Sequence, residues 1–234
     1  VNGERRRRLL QIASAVAFLA LVAVAVVIVL VGANGGSGGD TKLEDAAVVE
    51  RALKGISQHG LVLGQPGAKV TLIEFGDLQC PVCKAFSEEV VPDVIDAKVR
   101  SGKAKIDFRN YTIIGPESVP AGAAAIAAGM QGRGWSYVDL FYRNQGTEAT
   151  GYVTDAFMTA IARGAGVPDI ARWNRDRKSP KVLAEVKATT AEAQRLGFSG
   201  TPSFAVEGPA TEGVKTVGGA PSLGELETAI GEAS

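Results

Sequence analysis

From Leu9 to Val31 the chain is apolar, broken only by Gln11 and Ser14. Wound as a helix at 1.5 Å per residue, such a run crosses the roughly 30 Å hydrocarbon core of a bilayer. It predicts one N-terminal transmembrane helix over residues 9–31. A glycine-rich stretch, Gly32 to Gly39, follows and reads as a flexible tether. Asp40 to Ser57 then has the pattern of a short amphipathic helix, with Leu43, Ala46, Ala47, Val49 and Leu53 on its apolar side. His59 to Pro66 predicts a short strand between turn residues. In Val70 to Phe75 the apolar side chains are consecutive, which suits a central strand buried on both faces. A helical pattern runs from Cys80 to about Val99 and is expected to bury Val82, Phe86, Val90, Val94 and Ile95, with Pro92 kinking or splitting it. Lys105 to Tyr111 returns to strand, completing a β-α-β unit with a parallel crossover.

Beyond Pro116 the texture changes. Val119–Gln131, Trp135–Asn144, Asp155–Gly164, Asp169–Asp176 and Pro180–Leu196 all predict helices. A helical stretch of that length inside an α/β unit is an inserted subdomain. Trp135, Tyr137, Phe141, Phe157, Met158 and Trp173 are most simply its core; a peptide-binding aromatic cluster is the sharper alternative. The sheet resumes as a hairpin, Ser203–Glu207 and Val214–Val217 around Gly208-Pro209, and Ser222–Glu232 closes the chain as a helix. The organisation is therefore a basic flank (1–8), the apolar span (9–31), a linker with a short helix (32–58), a first α/β half (59–115), the helical insertion (116–197) and a second half (198–234).

Charge changes the picture at one place. Net formal charge is zero over 234 residues, which gives no support to a nucleic-acid partner. Four arginines, Arg5 to Arg8, nevertheless stand directly before the apolar run. By the positive-inside rule they place the N-terminus in the cytoplasm and everything after Val31 outside it. An uncleaved membrane anchor is favoured over a cleaved signal peptide, for which Val31-Gly32-Ala33 would serve as the cleavage site. The run is longer than the roughly 7–15 residues of a signal h-region. Either way the domain is delivered to an oxidising compartment.

The candidate chemistry is Cys80-Pro81-Val82-Cys83, which holds both cysteines of the chain. It stands where the buried strand leads into a helix. A sulfur at a helix N-terminus meets unpaired N–H groups and the positive end of the macrodipole, which favour a thiolate. The thiolate is the nucleophile of disulfide exchange. The second cysteine lies one turn on, in reach for ring closure, and Pro81 suits the first helical position. Simpler explanations fit less well. A structural disulfide closing so short a loop stabilises little. Structural zinc wants four ligands, and the chain adds only one histidine, His59, which reads as a surface residue. Inert buried thiols remain as the bland alternative. Glu74 is an anomaly in its apolar strand: it must be partnered, or exposed at the strand end. Six residues before Cys80, it is close enough to relay protons to the pair.

Glu74-Phe75-Gly76-Asp77, the Cys80–Cys83 motif and Gly200-Thr201-Pro202-Ser203-Phe204 together resemble the DsbA-like branch of the thioredoxin superfamily, in its membrane-anchored Gram-positive form. The resemblance covers His59 to Ala233. It implies a thioredoxin fold with an inserted helical subdomain, Cys80 as exposed nucleophile, Cys83 as buried resolving thiol and Glu74 as a proton-transfer acid. Substrate would bind at Thr201 and Pro202, joined by a cis peptide packed against the motif, and beside Pro81 and Val82. It implies no cofactor and no metal. Reduced secreted proteins would be the substrates, and a quinone-linked membrane protein, DsbB-like or vitamin-K-epoxide-reductase-like, would reoxidise the pair. Val82 departs from the histidine that strongly oxidising members often carry there, so thiolate stabilisation falls to the helix N-terminus. The expected activity is extracytoplasmic disulfide introduction from a single-pass membrane anchor. A reductase or isomerase of the same fold, and a non-redox tethered chaperone, are the competing expectations.

Overall fold

The computed structural model describes residues 43–234; the arginine flank, the predicted span and the tether lie outside the described residues. The first helix, α1, covers Ala46–Leu53 and buries Val49 and Leu53. It is shorter than its sequence pattern because Gly55 turns left-handed at φ 77° just beyond it. Arg100 takes over its C-terminal carbonyls, donating to Ala52 O at 2.6 Å and Lys54 O at 3.3 Å. The predicted first strand is a tight hairpin instead, β1 (Gln58–His59) and β2 (Val62–Leu63), because Gly60 at φ 59° reverses the chain inside it. His59 is exposed.

The central strand β3 (Val70–Gly76) runs parallel to β4 (Ala104–Asn110) and antiparallel to β5 (Ser203–Glu207). With the edge strand β6 (Lys215–Gly219) the sheet order is β1-β2-β4-β3-β5-β6. The stretch between β3 and β4 splits at Pro92, as its missing N–H requires. It forms α2 (Pro81–Glu89), α3 (Val91–Val94) and a π-helical turn over Ile95–Val99. The buried face of α2 is Cys83, Phe86 and Ser87. Val82 does not belong to it: it is 50% exposed, one position and thus about 100° around the helix from Cys83. Val90, at the break, is only partly buried.

Between β4 and β5 the chain inserts α4 (Ser118–Gly129), α5 (Gly134–Arg143), α6 (Asp155–Gly164), α7 (Ile170–Asp176) and α8 (Pro180–Arg195). Their starts follow local rules. Thr154, Asp169 and Ser179 each accept a backbone N–H of the first turn. Alanine-rich α4 is buried almost all round, and its small residues permit close approach. A Cβ on Gly122 would sit 2.6 Å from Asn110 Oδ1, and one on Gly129 would sit 2.7 Å from the Gly60 backbone. The six aromatic and methionine residues predicted as core are all buried. α9 (Leu223–Glu232) opens with a reciprocal Ser222–Glu225 capping box.

The pleat of β3 divides the core. Val70 and Leu72 join the larger cluster with Phe86, Phe108, Tyr142, Phe204 and the α9 residues Leu226 and Ile230. Ile73 and Phe75 face the other way, packing with Tyr111, Ala193 and Phe198. By the same alternation Glu74 points into the larger cluster, on the side that holds both cysteines.

Candidate active site

Cys80 occupies the N-cap of α2 in an extended conformation, with Pro81 in the first turn. Its N–H donates to Asp77 O at 2.9 Å and its carbonyl receives Lys84 N at 3.1 Å. Cys83 follows one turn later, completely buried. Both sulfurs are free thiols. Cys80 is less open than the resemblance implied: only 4% of it is accessible. The reason is the segment before β5, against which its sulfur rests, donating to Thr201 O at 3.3 Å. What lies open beside it is Pro81 and Val82.

The two sulfurs are held in different protonation states. Hydrogen bonding from the Cys83 thiol lowers the pKa of Cys80 to about 6; burial opposes this, and the Thr201 hydroxyl and the N–H groups of Cys83 and Val82 assist it. Thr201 Oγ1 has no partner within the dithiol protein, so it is available to the thiolate. Cys83 moves the other way. Burial, then the neighbouring Cys80 sulfur, push its thiol well above the ordinary value, and Glu74 adds to this only where it is ionised. The pair is thus one largely covered thiolate served by one thiol that keeps its proton.

The Thr201-Pro202 peptide is cis. Pro202 is buried and Thr201 half-buried. Ser203 Oγ closes the turn by donating to Gly200 O at 2.7 Å, and β5 then pairs with β3 from Phe75↔Ser203 onward. Cys80, Cys83, Thr201 and Pro202 are therefore brought together from strand ends 121 residues apart.

Glu74 pairs with Phe108 and Phe204 across the sheet and is 2% exposed. Neither alternative drawn from the sequence holds: it is not at an exposed strand end, and its Oε1 has no hydrogen-bond partner. Burial alone raises its pKa to about 8, so near neutrality it holds a proton on the side of the sheet that carries both cysteines.

Several further residues complete the site, and of these only Asp77 stands in a motif legible in the sequence. The Asp77 carboxylate is buried and accepts Gln79 N at 2.9 Å, Ile113 N at 2.8 Å and Ile114 N at 3.0 Å. Tyr142 Oη donates to Asp77 O at 3.2 Å. Gln79 is fully buried, donating to Ser118 Oγ at 3.0 Å and accepting Ala149 N at 3.1 Å. Gln145 donates to the carbonyls of Leu78 and Cys80. All but Asp77 and Gln79 come from the insertion, where neither spacing nor residue type marks them. A cleft of about 550 Å³ lies elsewhere, lined by Val49, Lys54, Arg133 and Gly164 among others and by none of these residues.

A family model described as Thioredoxin matches residues 57–222. The chain belongs to the thioredoxin family. The probable disulfide bond formation protein D of Bacillus cereus is 29% identical over 150 residues, 62% of this chain and 69% of that protein. Oxidised BdbD from Bacillus subtilis superposes at a TM-score of 0.65, with 20% identity, 76% of this chain and 97% of that one covered. A thioredoxin-like oxidoreductase from Silicibacter pomeroyi gives 0.60 at 29% identity, covering 81% and 96%. Within the thioredoxin superfamily the protein is a DsbA-like thiol:disulfide oxidoreductase. The transmembrane helix expected before it falls on residues outside those described.

Proposed function

We propose that this oxidoreductase introduces disulfides into secreted or membrane proteins on the extracytoplasmic side of a membrane to which residues 9–31 anchor it. The observation that carries the direction is the depressed Cys80 pKa, about 6 against an ordinary 9.0. A stable thiolate is a good leaving group, and its stability favours the reduced enzyme over its disulfide, which makes the disulfide an oxidant.

In the disulfide form a substrate thiolate attacks Cys80 Sγ. The Cys80–Cys83 bond breaks, and its electron pair leaves on Cys83. Glu74, protonated at neutral pH, supplies the proton that Cys83 requires. A second substrate thiolate then attacks the substrate sulfur of the mixed disulfide, releasing Cys80 as thiolate. The substrate has lost two electrons and the enzyme holds them as one thiol and one thiolate. Thr201, Pro202, Pro81 and Val82 border the sulfur, and extended substrate chains dock there. A quinone-linked membrane protein, DsbB-like or vitamin-K-epoxide-reductase-like, returns the pair to the disulfide.

The equilibrium of Cys80–Cys83 with glutathione tests the direction. A potential of roughly −120 to −180 mV is expected; one near or below roughly −250 mV would reverse the assignment to a reductase. Cys80→Ser is expected to abolish exchange. A membrane-impermeant maleimide should label Cys80 in intact cells after mild reduction, and labelling only after lysis would refute the location.

A further inference from the structure

Gln145 lies two residues past the end of α5, in a different part of the chain from the cysteines. Its Nε2 donates to Leu78 O at 2.8 Å and to Cys80 O at 3.1 Å. Both amide protons are thereby used on the two carbonyls that flank Gln79, directly before α2. The Leu78 carbonyl has no other hydrogen-bond partner among the described residues. Leu78 itself is 1% exposed, so water is a poor substitute. Gln145 is in turn well placed. Its N–H donates to Tyr142 O at 3.1 Å. Its neighbour Asn144 accepts Glu44 N at 2.8 Å and donates to Leu140 O at 2.9 Å, which pins the end of α5.

We propose that Gln145 is a positioning residue for disulfide exchange at Cys80, its carboxamide holding the Leu78 and Cys80 carbonyls and so fixing the sulfur over Thr201. Two effects follow from the geometry. The Leu78 carbonyl is held by Gln145, and the Cys80 carbonyl is shared between Gln145 and Lys84 N, so the turn before α2 is fixed on both sides of Gln79 and the contact from Sγ to Thr201 O keeps its register. The amide also sets positive partial charge next to the residue that carries the thiolate, and it offsets two carbonyl dipoles pointing into the same loop. The role rests on Cys80 being the attacked sulfur.

Two variants separate this role from packing. Gln145→Met keeps the length and volume and removes both donors. Gln145→Glu keeps the shape and sets a carboxylate against two carbonyl oxygens. The readouts are the glutathione equilibrium constant and the Cys80 pKa, followed by thiolate absorbance against pH. Gln145→Met is expected to raise the Cys80 pKa by about half a unit and to make the disulfide about threefold less oxidising. Gln145→Glu is expected to move both further in the same direction, by about tenfold in the equilibrium constant. If both variants match the wild type in potential and pKa while their urea midpoints fall, Gln145 is only structural and the inference is overturned. Both quantities are read only on folded protein, confirmed by near-UV circular dichroism. Should one variant not fold, the other still decides. A wild-type protein that fails to exchange with glutathione would instead sink the oxidoreductase reading itself.

Discussion

Glu74 and Asp77 are three residues apart, both carboxylates, and 2% and 1% exposed. Their surroundings are opposite. Asp77 sits past the strand end in the turn, where chain reversal leaves backbone N–H groups unpaired. It collects three of them, from Gln79, Ile113 and Ile114. Glu74 sits within the strand, where the ladder has already used the nearby backbone donors. Its Oε1 finds none, and burial drives its pKa to about 8. The same functional group is a staple in one place and a stored proton in the other. Burial does not decide which; the supply of free donors does.

That contrast is broken first at Asp77. Asp77→Ala strips the acceptor from three backbone donors and unties the CxxC turn from the segment after β4. A loss of about 4 kcal/mol is expected, read as a fall in the urea midpoint. A loss under about 1 kcal/mol would mean that the carboxylate holds nothing.

Next comes the pH dependence of Glu74. Its folded pKa lies above the unfolded value, so the folded protein holds a proton that the unfolded chain has released. Stability attributable to this group is whole below about pH 4.5 and declines up to about pH 8. For the disulfide form the decline between about pH 5 and 7 is expected to reach about 2–3 kcal/mol. Glu74→Gln should flatten it. In the dithiol form Cys80 works in the opposite sense, because its folded pKa is depressed from 9.0 to about 6. Its contribution grows from about pH 6 to about pH 9, so above about pH 6 the reduced protein should show a shallower curve than the oxidised one. Parallel curves would refute the paired assignment.

A kinetic effect is smaller. Glu74→Gln removes the proton donor proposed for Cys83, and formation of the mixed disulfide at neutral pH is expected to slow by about tenfold, measured by stopped flow. The smallest effect sharpens the Asp77 side. Tyr142→Phe removes one of two donors to the Asp77 carbonyl and should cost about 1 kcal/mol with the potential unchanged.

Much of this architecture was legible in the sequence, because it rests on local rules. The five helices of the insertion, separated by glycine-rich breaks, lie within one or two residues of their expected bounds, and the Pro92 split follows from one missing N–H. What departs from the pattern rests on geometry that a linear sequence does not contain. Val82 is apolar and fits a core position by spacing, although the N-cap at Cys80 turns it outward. The hairpin of β1 and β2 looks like one strand in the sequence because two-residue strands have too few positions to show alternation. At the site, the cysteines and Thr201-Pro202 were marked by their motifs, and Glu74 by being polar in an apolar strand. Gln79, Tyr142 and Gln145 had no such contrast. They matter through the carbonyls and hydroxyls they meet, and those partners come from distant segments.

The separation of 121 positions along the chain between Cys80 and Thr201 has a consequence in time. A ribosome adding roughly 5–20 residues per second leaves the cysteine pair without its distal loop for about 6–24 seconds. Through that interval the growing chain carries two thiols that lack the Thr201 carbonyl, the Thr201 hydroxyl and the strand that covers them. The reactive pair is made first and tuned last: a newborn molecule passes through a stage in which neither group of Thr201 reaches the Cys80 sulfur.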